Sequence, residues 1–196
     1  MSDDTTPLRR HGMMFDSDSD VLDAVCLEIL KTRKVVRFLE IGMWKGFTAR
    51  GIKKFVEEHG GTLDYWGIDP GLLEEPESPF PGAHFVVRKS EEAFHLVPDQ
   101  FDAVFVDGNH SRNGVILDTF NYEPKVARGG FMLFHDTNPK CQRTGYEYSG
   151  PQIPEFGICV REAWDMMGWP WEPWSLWMER YHPEHHQNGT TAFRRT

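Results

Sequence analysis

The sequence has little cysteine and no long apolar segment. Only three of its 196 residues are cysteine, an odd number without metal-type spacing, so we expect reduced thiols and no disulfide framework. The N-terminal residues MSDDTTPLRR lack the apolar core of a signal peptide, and no stretch approaches the roughly 18 apolar residues of a membrane-spanning helix. These absences predict a soluble, cytoplasmic protein with no membrane partner.

Basic charge is also scarce. The formal net charge is −9, from 21 lysines and arginines against 30 aspartates and glutamates, and the basic residues are scattered along the chain. A protein that binds nucleic acid typically carries a basic patch that neutralises phosphates. The composition therefore argues against a nucleic-acid partner and favours a small-molecule substrate.

Five apolar runs each end at a polar residue capable of chemistry. Short runs of apolar and β-branched residues, separated by helix-length stretches, are typical of buried strands in a parallel sheet. The residues at their ends are Glu40 (VVRFLE), Asp69 (LDYWGID), Ser90 (AHFVVRKS), Asp107 (FDAVFVD), and His135 with Asp136 (GGFMLFHD). Ligands of such sheets bind beyond the carboxyl ends of the strands, so these polar residues are predicted to lie along one site-forming edge.

The length and the order of the predicted elements indicate one domain. A chain of 196 residues can form one sizeable core and is short for two. Residues 1–15 lack periodicity and are predicted to form a flexible arm, with the domain over residues 16–196. Strands that alternate with helices, then two strands joined by a turn near Asn188-Gly189, predict a doubly wound α/β fold. Its sheet is expected to be mostly parallel and Rossmann-like, with a C-terminal antiparallel hairpin.

Helix boundaries are predicted from residues that cap or stop helices. The segment DSDSD (16–20) supplies aspartates and serines that cap a first helix, whose apolar residues follow from Val21. A later helix is predicted over residues 112–126, closed by Gly129-Gly130.

The turn after the first predicted strand indicates the kind of cofactor. A dinucleotide site needs G-x-G-x-x-G so that the backbone can approach a pyrophosphate, and here Met43 and Trp44 interrupt that pattern. A nucleoside cofactor without phosphates needs only a tight turn at Gly42, with Glu40 near an amine and Asp69 near a ribose diol. In the alternative interpretation, Gly42 only turns the chain and the two carboxylates are solvated strand ends.

The sequence around these residues resembles the class I S-adenosylmethionine-dependent methyltransferases. FLEIGMWKGFTA (38–49) is similar to the first motif of that superfamily, and YWGIDP (65–70) to the second. FDAVFVDGNHSRNGVILD followed by ARGGFMLFHDT is similar to the macrocin-type pattern. Within the superfamily the sequence therefore resembles the metal-dependent small-molecule O-methyltransferases of the macrocin and catechol types.

The resemblance implies a role for each residue of the predicted site. The methionine portion of the cofactor is expected to contact Glu40, Gly42, Trp44 and Thr48. The ribose is expected at Asp69, and the adenine at Ser90 and Glu91. The metal-binding positions correspond to Asp107, His135 and Asp136, although some relatives carry a carboxylate at the position of His135.

The residue types are consistent with a metal and a base. Asp107 and Asp136 end strands predicted to be neighbours, and two carboxylates favour Mg²⁺, with Mn²⁺ preferred if His135 joins them. His110 lies three residues after Asp107, where it could take a proton from a metal-bound hydroxyl. The alternatives are that the carboxylates cap helices and that His110 is an exposed loop residue.

These expectations combine into one predicted function. The chain is predicted to transfer a methyl group from S-adenosylmethionine, with Mg²⁺ or Mn²⁺, to a hydroxyl of a small metabolite such as a phenol, catechol or sugar. One or two of the C-terminal tryptophans are expected to wall the acceptor pocket, and a homo-oligomer is left open. Two alternatives are a different reaction on the same scaffold, since cephalosporin hydroxylases share these motifs, and a non-catalytic nucleoside-binding protein.

Overall fold

The structure, a computed structural model, describes Met14 and residues 16–71, 78–139, 160–181 and 189–196. Its five α-helices are α1 (Asp16–Leu30), α2 (Phe47–Glu58), α3 (Ser90–Ala93), α4 (Arg112–Tyr122) and α5 (Val160–Met167). Its seven strands are β1 (Val35–Ile41), β2 (Thr62–Asp69), β3 (His84–Val87), β4 (Phe101–Val106), β5 (Val126–Phe134), β6 (Trp174–Arg180) and β7 (Thr190–Arg195). These counts refer to the described residues.

The strands form one sheet in the order β3-β2-β1-β4-β5-β7-β6. The first five strands pair in parallel, while β7 pairs antiparallel with both β5 and β6. The predicted fold class, with a mostly parallel sheet and a C-terminal antiparallel pair, is confirmed. β1 and β4 lie at the centre, where β4 is buried along its whole length.

Helices cover both faces of the sheet because successive side chains of a strand point to opposite faces. Phe38 of β1 packs in the core that α1 and α2 cover. The next residue, Leu39, packs in the core that contains side chains of α3, α4 and α5. The two cores define the doubly wound architecture and leave the carboxyl ends of the parallel strands free to form a site.

One predicted helix start is confirmed and one predicted helix end is wrong. α1 begins at the predicted DSDSD segment, which forms its first turn rather than a cap ahead of it, and Asp18 within it is fully buried. Gly129 and Gly130 do not end a helix, because α4 has already ended at Tyr122 and a short 3-10 turn that contains Pro124 leads into β5. The two glycines lie within β5, beside a register shift against β4, so they accommodate an irregular strand.

The run that ends at Ser90 is also not a fully buried strand. β3 covers only His84–Val87 and is mostly exposed, because it lies at the edge of the sheet and pairs only with β2 among the described strands. Ser90 instead begins α3. Ser90 still lies at the predicted edge of the sheet, just after the end of β3.

β6 and β7 are the predicted C-terminal strands, but Asn188 of the expected turn lies outside the described residues. The predicted N-terminal arm also lies outside them except for Met14, whose side chain is buried against Thr48. Among the described helices, none has the length and apolar character needed to cross a bilayer.

Candidate active site

Backbone hydrogen bonds align the ends of the four central parallel strands. The amide of Gly42 donates to the carbonyl of Ile68 at 2.8 Å, that of Asp107 to Ile41 at 2.8 Å, and that of His135 to Val106 at 3.0 Å. Each bond continues the pairing one step beyond the regular strands. The predicted site residues that follow these strands are therefore held along one edge of the sheet.

The turn between β1 and α2 is packed directly against the end of β4. Gly42 has a φ of +92°, and a Cβ atom there would lie 2.2 Å from the carbonyl oxygen of Asp107. Only glycine tolerates both the backbone conformation and the close contact. Gly42 thus sets the distance between the turn and the end of β4, which carries Asp107.

Asp69 is held by the backbone of two loops. Its Oδ2 accepts a hydrogen bond from the amide of Trp44 at 2.8 Å, and its Oδ1 accepts one from the amide of Gly71 at 2.7 Å. Each carboxylate oxygen retains a second lone pair for a ligand. Asp69 is therefore not a freely solvated strand end, and its orientation suits a hydrogen bond from a diol.

Glu40 is buried and shares its carboxyl group with Tyr65. Only 1% of Glu40 is exposed, and the Tyr65 hydroxyl donates to its Oε2. Burial raises the pKa of Glu40 to about 8 against the opposing effect of the Tyr65 hydrogen bond. Glu40 therefore holds its proton at neutral pH, and the interpretation of this residue as a solvated strand end is wrong.

Four titratable side chains meet where β4 and β5 end. Oδ1 of Asp107 lies 3.1 Å from Nε2 of His110 and 2.9 Å from Nδ1 of His135. Nδ1 of His110 lies 3.1 Å from Oδ2 of Asp136. The structure thus brings together the three residues predicted to bind metal and the residue predicted to be the base.

The donor atoms of this cluster are spaced as the ligands of one cation. Asp107, His110 and His135 each offer an atom within 4.8 Å of the other two. Adjacent ligands of an octahedral ion with bonds of about 2.1 Å lie about 3.0 Å apart, close to the separations from Asp107. One oxygen and two nitrogen donors suit Mn²⁺ or another transition metal better than Mg²⁺, which prefers oxygen ligands.

His135 provides a further indication that the cluster suits a cation. Its Nδ1 is within reach of Asp107, yet neither ring nitrogen has an aligned hydrogen bond within the described parts of the chain, and both are buried. A buried polar atom without a hydrogen bond costs about 1–3 kcal/mol. An ion shared by Nδ1 of His135 and Oδ1 of Asp107 would satisfy both atoms, so these two predicted ligands fit a metal. The group with ligand spacing, however, contains His110 in the place predicted for Asp136.

Charge in the cluster is balanced without a metal by protons on the histidines. Burial disfavours the charged form of His110, but Asp136 and Asp107 outweigh it and raise its pKa to about 9. The pKa of His135 also lies well above its usual value, because Asp107 and Asp136 outweigh burial. Burial alone would raise the pKa of Asp107, but the two imidazoles hold it well below its usual range. His110 is therefore not an exposed loop residue.

Asp136 and Trp44 have unusual backbone conformations. Their φ angles are +53° and +43°, which non-glycine residues seldom adopt. Such strain persists only where surrounding structure enforces it, and it is common at functional sites. Both residues belong to the site predicted from the sequence.

The predicted adenine residues lie apart from this cluster. Ser90 and Glu91 form the first turn of α3, with Ser90 half-buried and Glu91 exposed. The Tyr122 hydroxyl donates to the carbonyl of Ser90 at 2.6 Å. Asp118 of α4 is buried close by, and burial raises its pKa to about 7 against the opposing influence of the nearby Ser90 hydroxyl.

A cavity of about 530 Å³ lies between α5 and the two antiparallel strands. Two of the C-terminal tryptophans, Trp164 and Trp169, are among its lining residues. That they wall the acceptor pocket stays a prediction. Its wall is joined to the end of β5, because Arg161 donates to the carbonyl of Thr137 at 2.6 Å and Thr191 donates to the Thr137 hydroxyl at 2.8 Å.

Three buried residues around the site were not predicted from the sequence. Tyr65, Asp118 and Asp18 contact or approach Glu40, Ser90 and His135 respectively. Tyr65 could have been found from strand alternation, since its position in β2 faces the same core as Phe38 of β1. Asp118 and Asp18 carry no such signal because polar residues in helices usually face solvent.

Comparison with known proteins agrees with this geometry. The fold is that of the class I S-adenosylmethionine-dependent methyltransferases, and residues 39–137 match the sequence profile of a methyltransferase domain. This match covers about half of the chain and contains both the β1–α2 turn and the cluster. The chain therefore belongs to this methyltransferase family. No protein of curated function matches the sequence.

Solved structures share the fold at low sequence identity. A protein from Listeria monocytogenes named as a class I S-adenosylmethionine-dependent methyltransferase is similar with a TM-score of 0.60 and 11% identity, over 95% of this chain and 62% of that protein. An O-methyltransferase from Bacillus cereus in complex with SAH has a TM-score of 0.59 and 10% identity, over 90% and 81%. An rRNA methylase from Streptococcus thermophilus has a TM-score of 0.58 and 6% identity, over 91% and 96%.

The chain thus spans less than two thirds of the Listeria protein. The Bacillus and Streptococcus proteins share a fold although one is named an O-methyltransferase and the other an rRNA methylase, so the fold alone does not identify the acceptor of this chain.

Proposed function

We propose that the protein is an O-methyltransferase that uses S-adenosylmethionine and a divalent cation to methylate a hydroxyl of a small metabolite. The observation that carries this proposal is the convergence of Asp107, His110, His135 and Asp136 beside the glycine turn of β1 and α2. A methyltransferase that needed only to bind its cofactor would have no use for four titratable groups at that point.

The cofactor is proposed to lie along the ends of β1, β2 and β3. The methionine portion would contact the turn that contains Gly42 and Trp44, with Glu40 and Thr48 beneath it. Glu40 is poised for a cationic ligand, because a positive charge beside a buried, protonated carboxyl favours release of its proton. Asp69 would accept hydrogen bonds from the ribose hydroxyls, while Ser90 and Glu91 would contact the adenine.

The cation would be held by Asp107, His135 and Asp136. When bound, it supplies a Lewis acid that lowers the pKa of an acceptor hydroxyl. The two carboxylates also hold His110 by its two ring nitrogens, so the orientation of that imidazole is fixed before any acceptor arrives.

His110 is proposed to accept the proton of the acceptor hydroxyl as the methyl group leaves the sulfonium. The proton would go to a ring nitrogen that Asp107 or Asp136 would release on binding the cation. Its raised pKa, about 9, reflects two nearby carboxylates, and a second positive charge among them would lower it toward the range of a general base. The same distances support a second role for His110, as a cation ligand together with Asp107 and His135. Substitution of His110 separates the two roles, since only a ligand should change metal affinity.

The acceptor is proposed to be small and hydroxylated, such as a phenol, catechol or sugar. The cavity lined by Trp164 and Trp169 adjoins the end of β5 through Thr137, and aromatic walls suit a ring-shaped acceptor.

Direct assay tests the proposal. The purified protein is incubated with methyl-labelled S-adenosylmethionine and a panel of phenols, catechols and sugars, with Mg²⁺, with Mn²⁺ or with excess chelator. We expect label in an ether product only when metal is present. Labelled product at full rate in chelator would refute metal dependence. Cofactor binding without product from any acceptor would favour the nucleoside-binding alternative, and oxygenated rather than methylated product would favour a hydroxylase-like reaction.

A further inference from the structure

Asp18 on α1 is a fully buried carboxylate that touches two different parts of the molecule. Its Oδ1 accepts hydrogen bonds from the amide of Gly189 at 2.9 Å and from the Thr190 hydroxyl at 3.2 Å. Its other oxygen, Oδ2, lies 3.9 Å from Nε2 of His135. One oxygen therefore anchors the start of β7, and the other faces the predicted metal cluster.

The imidazole of His135 lies between two carboxylates. Its Nδ1 faces Asp107 at 2.9 Å, while its Nε2 faces Asp18 on the opposite side of the ring. The ring of Phe105 meets it edge to face, with centroids 6.2 Å apart. The orientation of the His135 ring, and so of Nδ1, therefore depends on which group accepts a hydrogen bond from Nε2.

We propose that Asp18 is a positioning residue for the metal site, which accepts the Nε2 proton of His135 and so presents the lone pair of Nδ1 to the cation. The inference rests on the proposed metal site. Histidines that bind metals usually donate their other ring proton to a carboxylate or carbonyl, and this partner fixes the tautomer and orientation of the ring.

The separation of 3.9 Å is an ion-pair distance, about 1 Å longer than a hydrogen bond. Asp18 and the two ring nitrogens of His135 are buried, so bulk water screens the attraction between them only weakly. A small rotation of the imidazole toward Asp18 would complete the hydrogen bond, and catalytic hydrogen bonds often tighten in this way when a ligand binds.

The contacts to β7 do not require a charge at position 18. Gly189 and Thr190 donate to Oδ1, and an amide oxygen would accept these bonds equally well. An asparagine at position 18 would instead place an NH₂ group opposite Nε2. That group needs an acceptor, so it would favour the tautomer with the proton on Nδ1, which cannot bind a cation through that nitrogen.

The test is Mn²⁺ binding to the wild-type protein and to Asp18→Asn. Binding is measured from the decrease in the electron paramagnetic resonance signal of free Mn²⁺. We expect Asp18→Asn to weaken Mn²⁺ affinity 10–100-fold, the usual effect of losing such a partner. Its thermal unfolding midpoint in chelator should fall less than that of Asp18→Ala, because asparagine keeps the oxygen that accepts from Gly189 and Thr190. Asp18→Glu should recover part of the affinity by restoring the charge.

Thr190→Val is the matched control. It removes one contact to the same carboxylate but leaves Oδ2 and His135 unchanged. We expect it to lower the unfolding midpoint while Mn²⁺ affinity stays within about twofold of wild type. If Thr190→Val weakens Mn²⁺ as much as Asp18→Asn does, Asp18 acts only through β7 and the inference is overturned.

The outcomes separate this inference from the proposed function. Wild-type protein that binds no Mn²⁺ refutes the proposed metal site, whereas equal affinity of the wild type and Asp18→Asn refutes only the role of Asp18. If Asp18→Asn does not fold, nitrogen NMR of the Mg²⁺-loaded wild type decides. A proton on Nε2 of His135, assigned with His135→Gln, supports the inference, and a proton on Nδ1 overturns it.

Discussion

The carboxylates at the cofactor end of the candidate site and the imidazole of His135 at the metal end differ in how their polar atoms are satisfied. At the ends of β1 and β2, the chain supplies its own partners: Tyr65 donates to Glu40, and two backbone amides donate to Asp69. At the ends of β4 and β5, both ring nitrogens of His135 lack an aligned hydrogen bond among the described residues. The cofactor end is organised by the protein itself, whereas the metal end needs protons or a cation to balance it.

Because of this difference, we expect the two ends to respond differently to removal of metal. The backbone contacts at Asp69 persist whether or not a cation is present. The carboxylates of Asp107 and Asp136, in contrast, are neutralised either by the imidazoles or by a cation. Loss of the metal should therefore affect chemistry and leave cofactor binding largely intact.

Removal of the metal is expected to have the largest effect. Excess chelator, or Asp107→Ala, should lower turnover at least about 10³-fold, because several kcal/mol of Lewis-acid stabilisation is lost. The affinity for S-adenosylmethionine, measured by calorimetry in the same chelator, should change less than about threefold. Full turnover in chelator, or a parallel loss of cofactor affinity, would erase the distinction between the two ends.

Substitution of His110 should have the next largest effect. His110→Ala should lower kcat roughly 10²–10⁴-fold if the imidazole is the general base, with metal and cofactor affinity little changed. In the wild type, activity should rise with pH through an acid limb that the mutant lacks, since only the neutral imidazole can accept the proton.

The competing role for His110 predicts a different pattern. As a cation ligand, it would lose Mn²⁺ affinity on substitution, and added Mn²⁺ would restore much of the rate. Turnover of His110→Ala within about threefold of wild type, or an unchanged acid limb, would leave His110 as a neighbour of the site without either role.

Substitution of Asp69 tests the cofactor end. Asp69→Ala should weaken binding of S-adenosylmethionine or its demethylated product by about 1.5–3 kcal/mol, the range for hydrogen bonds to a charged group. NAD should not bind, because Met43 and Trp44 occupy the turn where a pyrophosphate would approach. Calorimetry measures both ligands, with Asp64→Ala as a control, since Asp64 of the same strand pairs with Arg37 away from the site. An unchanged dissociation constant for Asp69→Ala would remove that residue from the site.

The sequence predicted the strands and their polar ends well because both signals are local. Glu40, Asp107 and His135 follow apolar runs whose length and pattern indicate buried parallel strands. The chain order of those strands, with the ligand edge at their carboxyl ends, then brings the residues together without any knowledge of side-chain contacts.

Other features depended on contacts between distant segments. A glycine pair such as Gly129-Gly130 usually ends a helix, but here it lies in β5 because pairing with β4 determines the local structure. Asp18 lies in an acidic segment that is typical of a helix cap, and only its packing against β7 and His135 distinguishes it. No local pattern could reveal either outcome.

The smallest expected effect concerns the pH dependence of stability at the cofactor end. The native pKa of Glu40 is raised to about 8, whereas an unfolded glutamate titrates near about 4.3. As pH rises from about 5 to 8, the unfolded chain loses this proton while the native protein retains it, so the free energy of unfolding falls. His110, with a native pKa of about 9, should extend the fall to higher pH in chelator.

Glu40→Gln should reduce this pH dependence, because glutamine accepts the Tyr65 hydrogen bond but does not titrate. Urea unfolding at pH 5.5 and pH 8 in chelator should show a smaller loss of stability in Glu40→Gln than in wild type. The difference should be at least about 1.4 kcal/mol, the equivalent of one pKa unit. The contribution of His110 is common to both proteins and cancels in the comparison. Equal losses would mean that Glu40 is already ionised in the native protein. The contrast between a cofactor end whose carboxyl groups have partners within the protein and a charged metal end would then not hold.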